Sequence, residues 1–224
     1  MAVKEILRLL LQLLLNFKHK QNFNYNDYYV SKSNYYAFQI IEKWPKWEKN
    51  ILNIYGEKFS GKSHLANIFC NKNKCIKIIE DQLNDEILIK LKLHENIVLD
   101  NFENLTEERL LYSLFNLVDH DNKYLLINSI KPINEMNFDL HDLKSRSKNC
   151  LFAKIDSPDD ELIFAIILKS FSDRQIQIDK KLIDFIIKRI DRSYGKISEF
   201  IYKIDELSLK NKKPIDFKTI KEIL

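Results

Sequence analysis

The chain has 224 residues with 36 Lys and Arg against 32 Asp and Glu, and 45% of it is hydrophobic, enough to bury one large core or two small ones. Its formal charge of +4 is scattered along the sequence, which argues against a nucleic-acid groove built on charge alone. Cys70, Cys75 and Cys150 show no CxxC spacing, so they suggest neither a disulfide framework nor a zinc site and read as buried or free thiols of a reducing cytoplasm.

The N-terminal segment, residues 1–32, contains the apolar run "ILRLLLQLLLNF", which Arg8 and Gln12 interrupt. It is too short and too broken for a membrane span and lacks the small-residue cleavage site of a signal peptide. Ser33 to Trp44 has helical spacing, with Ser33 or Asn34 as its cap. A short strand, Ile51 to Tyr55, then runs into G-x-x-x-x-G-K-S, Gly56 to Ser63, and Leu65, Ile68 and Phe69 begin a helix behind it. Two of the chain's three glycines stand in this loop. Strand, glycine-rich loop and helix N-terminus are what a phosphate chain needs: converging backbone N–H groups and a helix dipole. The candidate contacts are Gly56, Glu57, Lys58, Phe59, Ser60, Gly61, Lys62, Ser63 and His64, with Lys62 on the β/γ-phosphates and the Ser63 hydroxyl on Mg2+.

Ile76 to Ile79 reads as a second strand, and Ile97, Val98 and Leu99 as a third that ends in Asp100, placed to hold Mg2+ through water. The next residue is Asn101, which can orient a water but cannot take its proton. Hydrolysis in cis is therefore expected to be slow unless Glu103 substitutes. A helix is predicted over Glu107 to Asp119 and a strand over Tyr124 to Asn128, whose end offers Asn128 or Ser129 to a γ-phosphate or a water. The basic turn "KSRSK", with Ser145 and Arg146, precedes a final strand, "LFAKI". From Ser157 three helical patterns follow, then a short one at Asp216 to Leu224, and Asp159 and Asp160 suit the first turn of the first. The expected architecture is α/β: a parallel sheet covered on both faces by helices over residues 33–156, followed by a small all-helical lid over 157–224.

A P-loop core followed by a helical lid is the plan of AAA+ proteins. The stretches "YYVSKSNYYAFQIIEKWPKW", "YGEKFSGKSHLANIF", "IVLDNFENL", "DLHDLKSRS", "SPDDELIFAIILKSF" and "IKRIDRSYGKISEFIYKIDELS" together resemble the Hda family, the DnaA-related proteins that promote inactivation of the bacterial replication initiator. The resemblance runs from Gln12 to the closing "TIKEIL"; the P-loop is generic, whereas "LDNFE" and "DLKSR" are more specific. It implies an adenine nucleotide, ADP or ATP, with Mg2+, and makes Arg146 an arginine finger that reaches into a neighbour's nucleotide site. It points to Tyr29, Val30 and Asn34 at the base, the alternative being that Tyr28 and Tyr29 simply pack on the core. The family's lid arginine falls at Gly195, with Arg192 and Lys196 nearby. "QLLLNF", with Gln12, Leu13, Leu15 and Phe17, resembles the peptide by which the family docks on the DNA sliding clamp; the alternative is an amphipathic helix continuing from "KEILRLLL". DnaA continues into a DNA-binding domain where this chain stops at Leu224, so weak or no direct DNA binding is expected, with initiator DnaA and the clamp as partners and a homo-oligomer possible. Two rivals stay open: an adaptor that localises DnaA without affecting hydrolysis, and a helicase-loader-type ATPase.

Overall fold

The structure is a computed structural model that describes residues 27–103, 107–174, 178–211 and 217–223. In chain order the elements are α1 (Tyr35–Lys43), β1 (Ile51–Tyr55), α2 (Lys62–Asn73), β2 (Cys75–Ile79), α3 (Asp85–Leu91), β3 (Asn96–Phe102), α4 (Glu108–His120), β4 (Tyr124–Ser129), α5 (His141–Ser147), β5 (Leu151–Lys154), α6 (Asp160–Asp173), α7 (Lys180–Ile187), α8 (Tyr194–Asn211) and α9 (Phe217–Ile223). All strand pairs are parallel and the order is β2-β3-β4-β1-β5. The expected α/β core with a helical lid is what the chain forms.

The strands read as unbroken apolar runs because both faces of the sheet are covered. Alternate residues divide between two cores. Ile97, Leu99, Leu125 and Ile127 pack with α4 residues Leu111, Leu114 and Phe115 on one face. Leu52, Ile54, Val98 and Leu126 pack with Leu65, Ile68 and Phe69 of α2 and Ile40 and Ile41 of α1 on the other. Burying each such side chain contributes about 1.5–3 kcal/mol. Helices α6 to α9 enclose a third core, built on Ile167, Phe171, Ile183, Ile186, Phe200 and Ile204. Leu162 and Tyr194 belong instead to the second core and so seat the lid against the sheet.

Sequence and structure differ in particular places. Helices α3 and α5 escape a periodicity search because each has seven residues; α3 is instead marked by its cap, the Asn84 side chain accepting from the Ile87 N–H. Asn34 precedes α1, but its Oδ1 accepts from the Ser31 N–H rather than from the helix. Asp159 does cap α6, accepting from the Leu162 N–H at 2.8 Å. The cysteine expectation is corrected: Cys150 is free and buried, but Cys70 and Cys75 are joined as a disulfide. The turn at Lys74, in left-handed conformation, folds the end of α2 onto the start of β2 and brings the two Cα atoms within 4.8 Å. Two cysteines five apart carry no sign of such a reversal in sequence. Among the described residues no helix is long and apolar enough to cross a membrane.

Candidate functional site

Strands β1, β4 and β3 lie side by side, and their carboxyl ends open into one cleft of about 1240 Å3 between sheet and lid. A parallel sheet presents loops and helix N-termini at this edge, which is where ligands bind in open α/β folds. The P-loop follows β1. Gly61 has a left-handed φ of 91°, and a Cβ at Gly56 would stand 2.7 Å from the Ile155 carbonyl oxygen, so both positions demand glycine. Phe59 also has positive φ and is largely exposed at the loop tip, a strained arrangement for a bulky residue. Of the predicted loop residues, Lys58 to His64 line the cleft.

Lys62 folds back on its own loop. Its ammonium donates to the carbonyl oxygens of Gly56 and Glu57 at 2.8 and 2.7 Å and to Ser60 Oγ at 3.3 Å. Burial lowers its pKa from 10.5 to about 8, against the raising influence of Asp100, Glu103 and Glu57. Asp100 is buried near the end of β3, behind the residues that line the cleft, and reaches it through Ser63 and Asn128. Burial alone would raise its pKa, but the Lys77 ammonium and donors from Asn128 and Ser63 pull it below the usual carboxylate range. Ser63 Oγ donates to Asp100 Oδ1 at 3.1 Å and Asn128 Nδ2 donates to the same oxygen at 2.9 Å. Asn128 Oδ1 is buried without a hydrogen-bond partner, an acceptor for a water.

The structure separates the β4 candidates. Asn128 faces Asp100, whereas the Ser129 hydroxyl donates to the Lys131 carbonyl and accepts from Asn53 Nδ2. Asn101 is exposed at a β-bulge, in left-handed conformation with φ 55°. Asparagine tolerates that conformation better than most residues, so backbone geometry is a second reason for its presence. Glu103 also lines the cleft.

Of the residues expected at an adenine base, Tyr29 and Asn34 line the cleft and Val30 does not. Asn34 turns its amide inward: Nδ2 donates to the Tyr29 carbonyl and Oδ1 accepts from Ser31, so it shapes the loop. Tyr28, which the sequence offers only as a tyrosine packed on the core, lines the cleft as well, its ring flat on Phe38, edge-on to His64 and against Gly61.

Sequence reasoning passed over the partner of Glu57. This P-loop carboxylate accepts from Ser193 Oγ and from the Tyr194 and Gly195 N–H groups, at 3.0 and 2.9 Å, and so caps α8. A Cβ at Gly195 would lie 3.1 Å from Glu57 Oε1, and a glycine keeps that approach open. Arg192 pairs with Asp160 and Lys196 with Glu199, and neither lines the cleft. Among the described residues the lid cations that do are Lys169 and Arg174, paired with Asp27 and Asp205. Arg146 is not in this cleft. It lies on α5, paired with Asp119 and placed over the Tyr112 ring of α4. The peptide Gln12 to Phe17 lies outside the described residues.

For Mg2+ the donor set fits in kind. Ser63 offers a hydroxyl and Asp100 a carboxylate that would act through water, with remaining positions left to phosphate and solvent. Among the described residues no cluster of three His, Cys, Asp or Glu forms a cage, and Mg2+ in phosphate sites needs none.

No family model matches the chain. It is similar to the chromosomal replication initiator DnaA of Borreliella afzelii, 23% identical over 218 residues that make up 84% of this chain and 45% of that protein. The chain thus spans about half the length of the curated relatives it matches. Among solved structures, domain III of the Thermotoga maritima DnaA superposes with a TM-score of 0.74 at 19% identity, covering 92% of this chain and 96% of that one. The AMPPCP-bound DnaA of Aquifex aeolicus gives 0.71 at 19% identity, covering 91% and 70%. The chain shares the fold of these initiator domains, a parallel sheet covered by helices and followed by a helical lid, and is similar to DnaA in sequence.

Proposed function

We propose that this chain is an adenine-nucleotide-binding AAA+ regulator of chromosomal replication initiation of the Hda type. The observation that carries the reading is the convergence of Lys62, Ser63, Asp100 and Asn128 at one sheet edge, in a fold shared with nucleotide-bound DnaA. The P-loop amides and Lys62 bind the phosphates. Tyr28, Tyr29 and the α1 loop face the base. Ser63, with Asp100 through water, would hold Mg2+, whose charge screens the phosphate oxygens. With Asn101 where a base would stand, the nucleotide acts as a bound ligand more than as fuel. Arg146 then works in trans, its guanidinium completing the ATPase site of initiator DnaA, where an added arginine is worth orders of magnitude in rate for GTPases. The sliding clamp as partner rests on the resemblance of Gln12 to Phe17, and cytoplasmic location accords with these partners.

A specific observation favours a second reading, an adaptor that localises DnaA without affecting hydrolysis: Arg146 already has Asp119 and Tyr112 as partners in its own chain. One assay separates the two. The fraction of DnaA-bound ATP converted to ADP is followed with DNA-loaded clamp and either wild type, Arg146→Ala or Arg146→Lys, beside a melting curve for each. The finger reading expects normal melting and lost stimulation in both variants, because lysine lacks the planar fork. Full stimulation by Arg146→Ala moves the function to the adaptor.

A further inference from the structure

Under the P-loop helix, a lysine from the neighbouring strand meets the carboxylate beside which a metal would sit. The parallel register pairs Lys77 with Val98 and Ile79 with Asp100, which puts Lys77 and Asp100 on the same face of the sheet, beneath α2. The Lys77 ammonium lies 2.7 Å from Asp100 Oδ2 and 3.2 Å from Asn67 Oδ1, one helical turn behind Ser63. The other carboxylate oxygen takes the hydrogen bonds from Ser63 and Asn128. Both oxygens of Asp100 therefore have protein partners, and the pair carries no net charge. The two side chains are 30% and 4% exposed, so solvent screens the interaction only in part.

We infer that Lys77 supplies from inside the protein much of the positive charge that a divalent cation supplies at such a site, so that this chain binds adenine nucleotide with little dependence on Mg2+. The inference rests on the nucleotide-binding reading and states which form of the ligand the site accepts. A bare carboxylate under the β/γ-phosphates repels a polyanion and needs a cation as bridge. A carboxylate already paired with an ammonium exerts far less repulsion and offers a divalent ion less attraction. Lys77 does not line the cleft and acts through Asp100, which makes it a positioning residue.

The test is a calorimetric titration of ADP and ATP into the full chain, once with Mg2+ and once with EDTA, for wild type, Lys77→Met, Lys77→Arg and Lys62→Ala. Wild type should bind with affinities within about threefold in the two buffers, whereas Lys77→Met should lose about tenfold or more in EDTA and recover with Mg2+. Lys77→Arg should behave as wild type, since the charge is kept. The double variant Lys77→Met, Asp100→Asn removes both charges, guards against misfolding from an unpaired buried carboxylate, and should again be insensitive to Mg2+. Strong Mg2+ dependence in wild type, or equal ratios in wild type and Lys77→Met, overturns the inference while leaving nucleotide binding intact. No nucleotide binding by wild type in either buffer, or undiminished binding by Lys62→Ala, overturns the proposed function and this inference with it.

Discussion

Two carboxylates that act on the P-loop lysine Lys62 are used by the chain in opposite ways. Asp100 is buried at a strand end and faces a cation, Lys77, together with two side-chain donors. Glu57 sits in the P-loop and faces neutral donors from the first turn of α8, at the positive end of that helix. The first arrangement neutralises a buried carboxylate beneath the P-loop helix; the second ties the P-loop to the lid. Lys62 lies between them and feels both. The P-loop and the lid are joined by a carboxylate from the loop and three donors, from Ser193, Tyr194 and Gly195, at the start of α8.

The largest effect that distinguishes the two should come from truncating Asp100. Asp100→Ala leaves Lys77 half-buried without its partner, and a loss of about 2–3 kcal/mol in unfolding free energy is expected, less than for a fully buried pair. Urea denaturation measures it; a loss below 0.5 kcal/mol would make the pair a surface contact in energetic terms, about the median of exposed ones.

Lys62→Ala removes the ammonium common to both sides. Nucleotide affinity should fall about tenfold or more, equivalent to at least about 1.4 kcal/mol, with the melting temperature nearly unchanged. Calorimetry with ADP decides the matter, and unchanged affinity would remove the phosphate assignment.

Glu57→Ala should weaken the lid rather than the core, by about 1–2 kcal/mol for hydrogen bonds that are partly open to water. Amide exchange should rise across α8 while β3 and β4 stay protected. Uniform loss of protection across both regions would mean that Glu57 supports the whole fold and not the lid seat. Gly195→Ala, whose Cβ would stand 3.1 Å from Glu57 Oε1, should displace that carboxylate slightly and raise exchange across α8 less than Glu57→Ala does.

A smaller, pH-dependent effect sharpens the role of Lys62. Its pKa in the free protein is about 8 against an ordinary 10.5, so below pH 8 it is protonated whether or not phosphate is bound. Above pH 8 the free protein loses the proton that the phosphate complex retains. Affinity for ADP should therefore decline as pH rises past 8, by at most about tenfold per unit. The stability of the ligand-free chain should move the other way, rising between about pH 8 and 10.5, because there the unfolded chain holds the proton and the folded one does not. A Lys62→Arg variant should bind without this slope, since guanidinium stays charged. A slope that persists in Lys62→Arg would belong to another group.

The smallest change is expected at Asn101. Asn101→Asp should raise basal hydrolysis modestly, whereas Asn101→Glu, with a side chain less suited to φ 55°, should raise it less. Rapid hydrolysis by the wild type alone, lost in Lys62→Ala, would contradict the view of the nucleotide as a bound ligand.

Much of this site was readable from the sequence, because its chemistry is local. Gly56 to Ser63 is one turn between a strand and a helix, and its spacing alone implies converging amides. The run Ile97 to Leu99 ending in Asp100 is equally self-contained: an apolar strand that stops at an acid. The strand limits came out within a few residues because parallel strands buried on both faces leave continuous apolar runs. What escaped lies in pairs distant along the chain. Nothing near Lys77 in sequence says that register places it against Asp100. Nothing in "YGEK" says that Glu57 will meet the N–H groups of Tyr194 and Gly195. Tyr28 rather than Tyr29 packs against Gly61 because of how one loop folds over α2, and two adjacent tyrosines are indistinguishable without that turn. The sequence, read alone, determined the glycine-rich loop between strand and helix, the acid strand and the alternation of sheet and helix, since each depends on contacts within a dozen residues. The partners of the two carboxylates and the surface position of Arg146 were decided only in three dimensions. Sheet register and helix docking choose those neighbours, and both follow from the packing of the whole core.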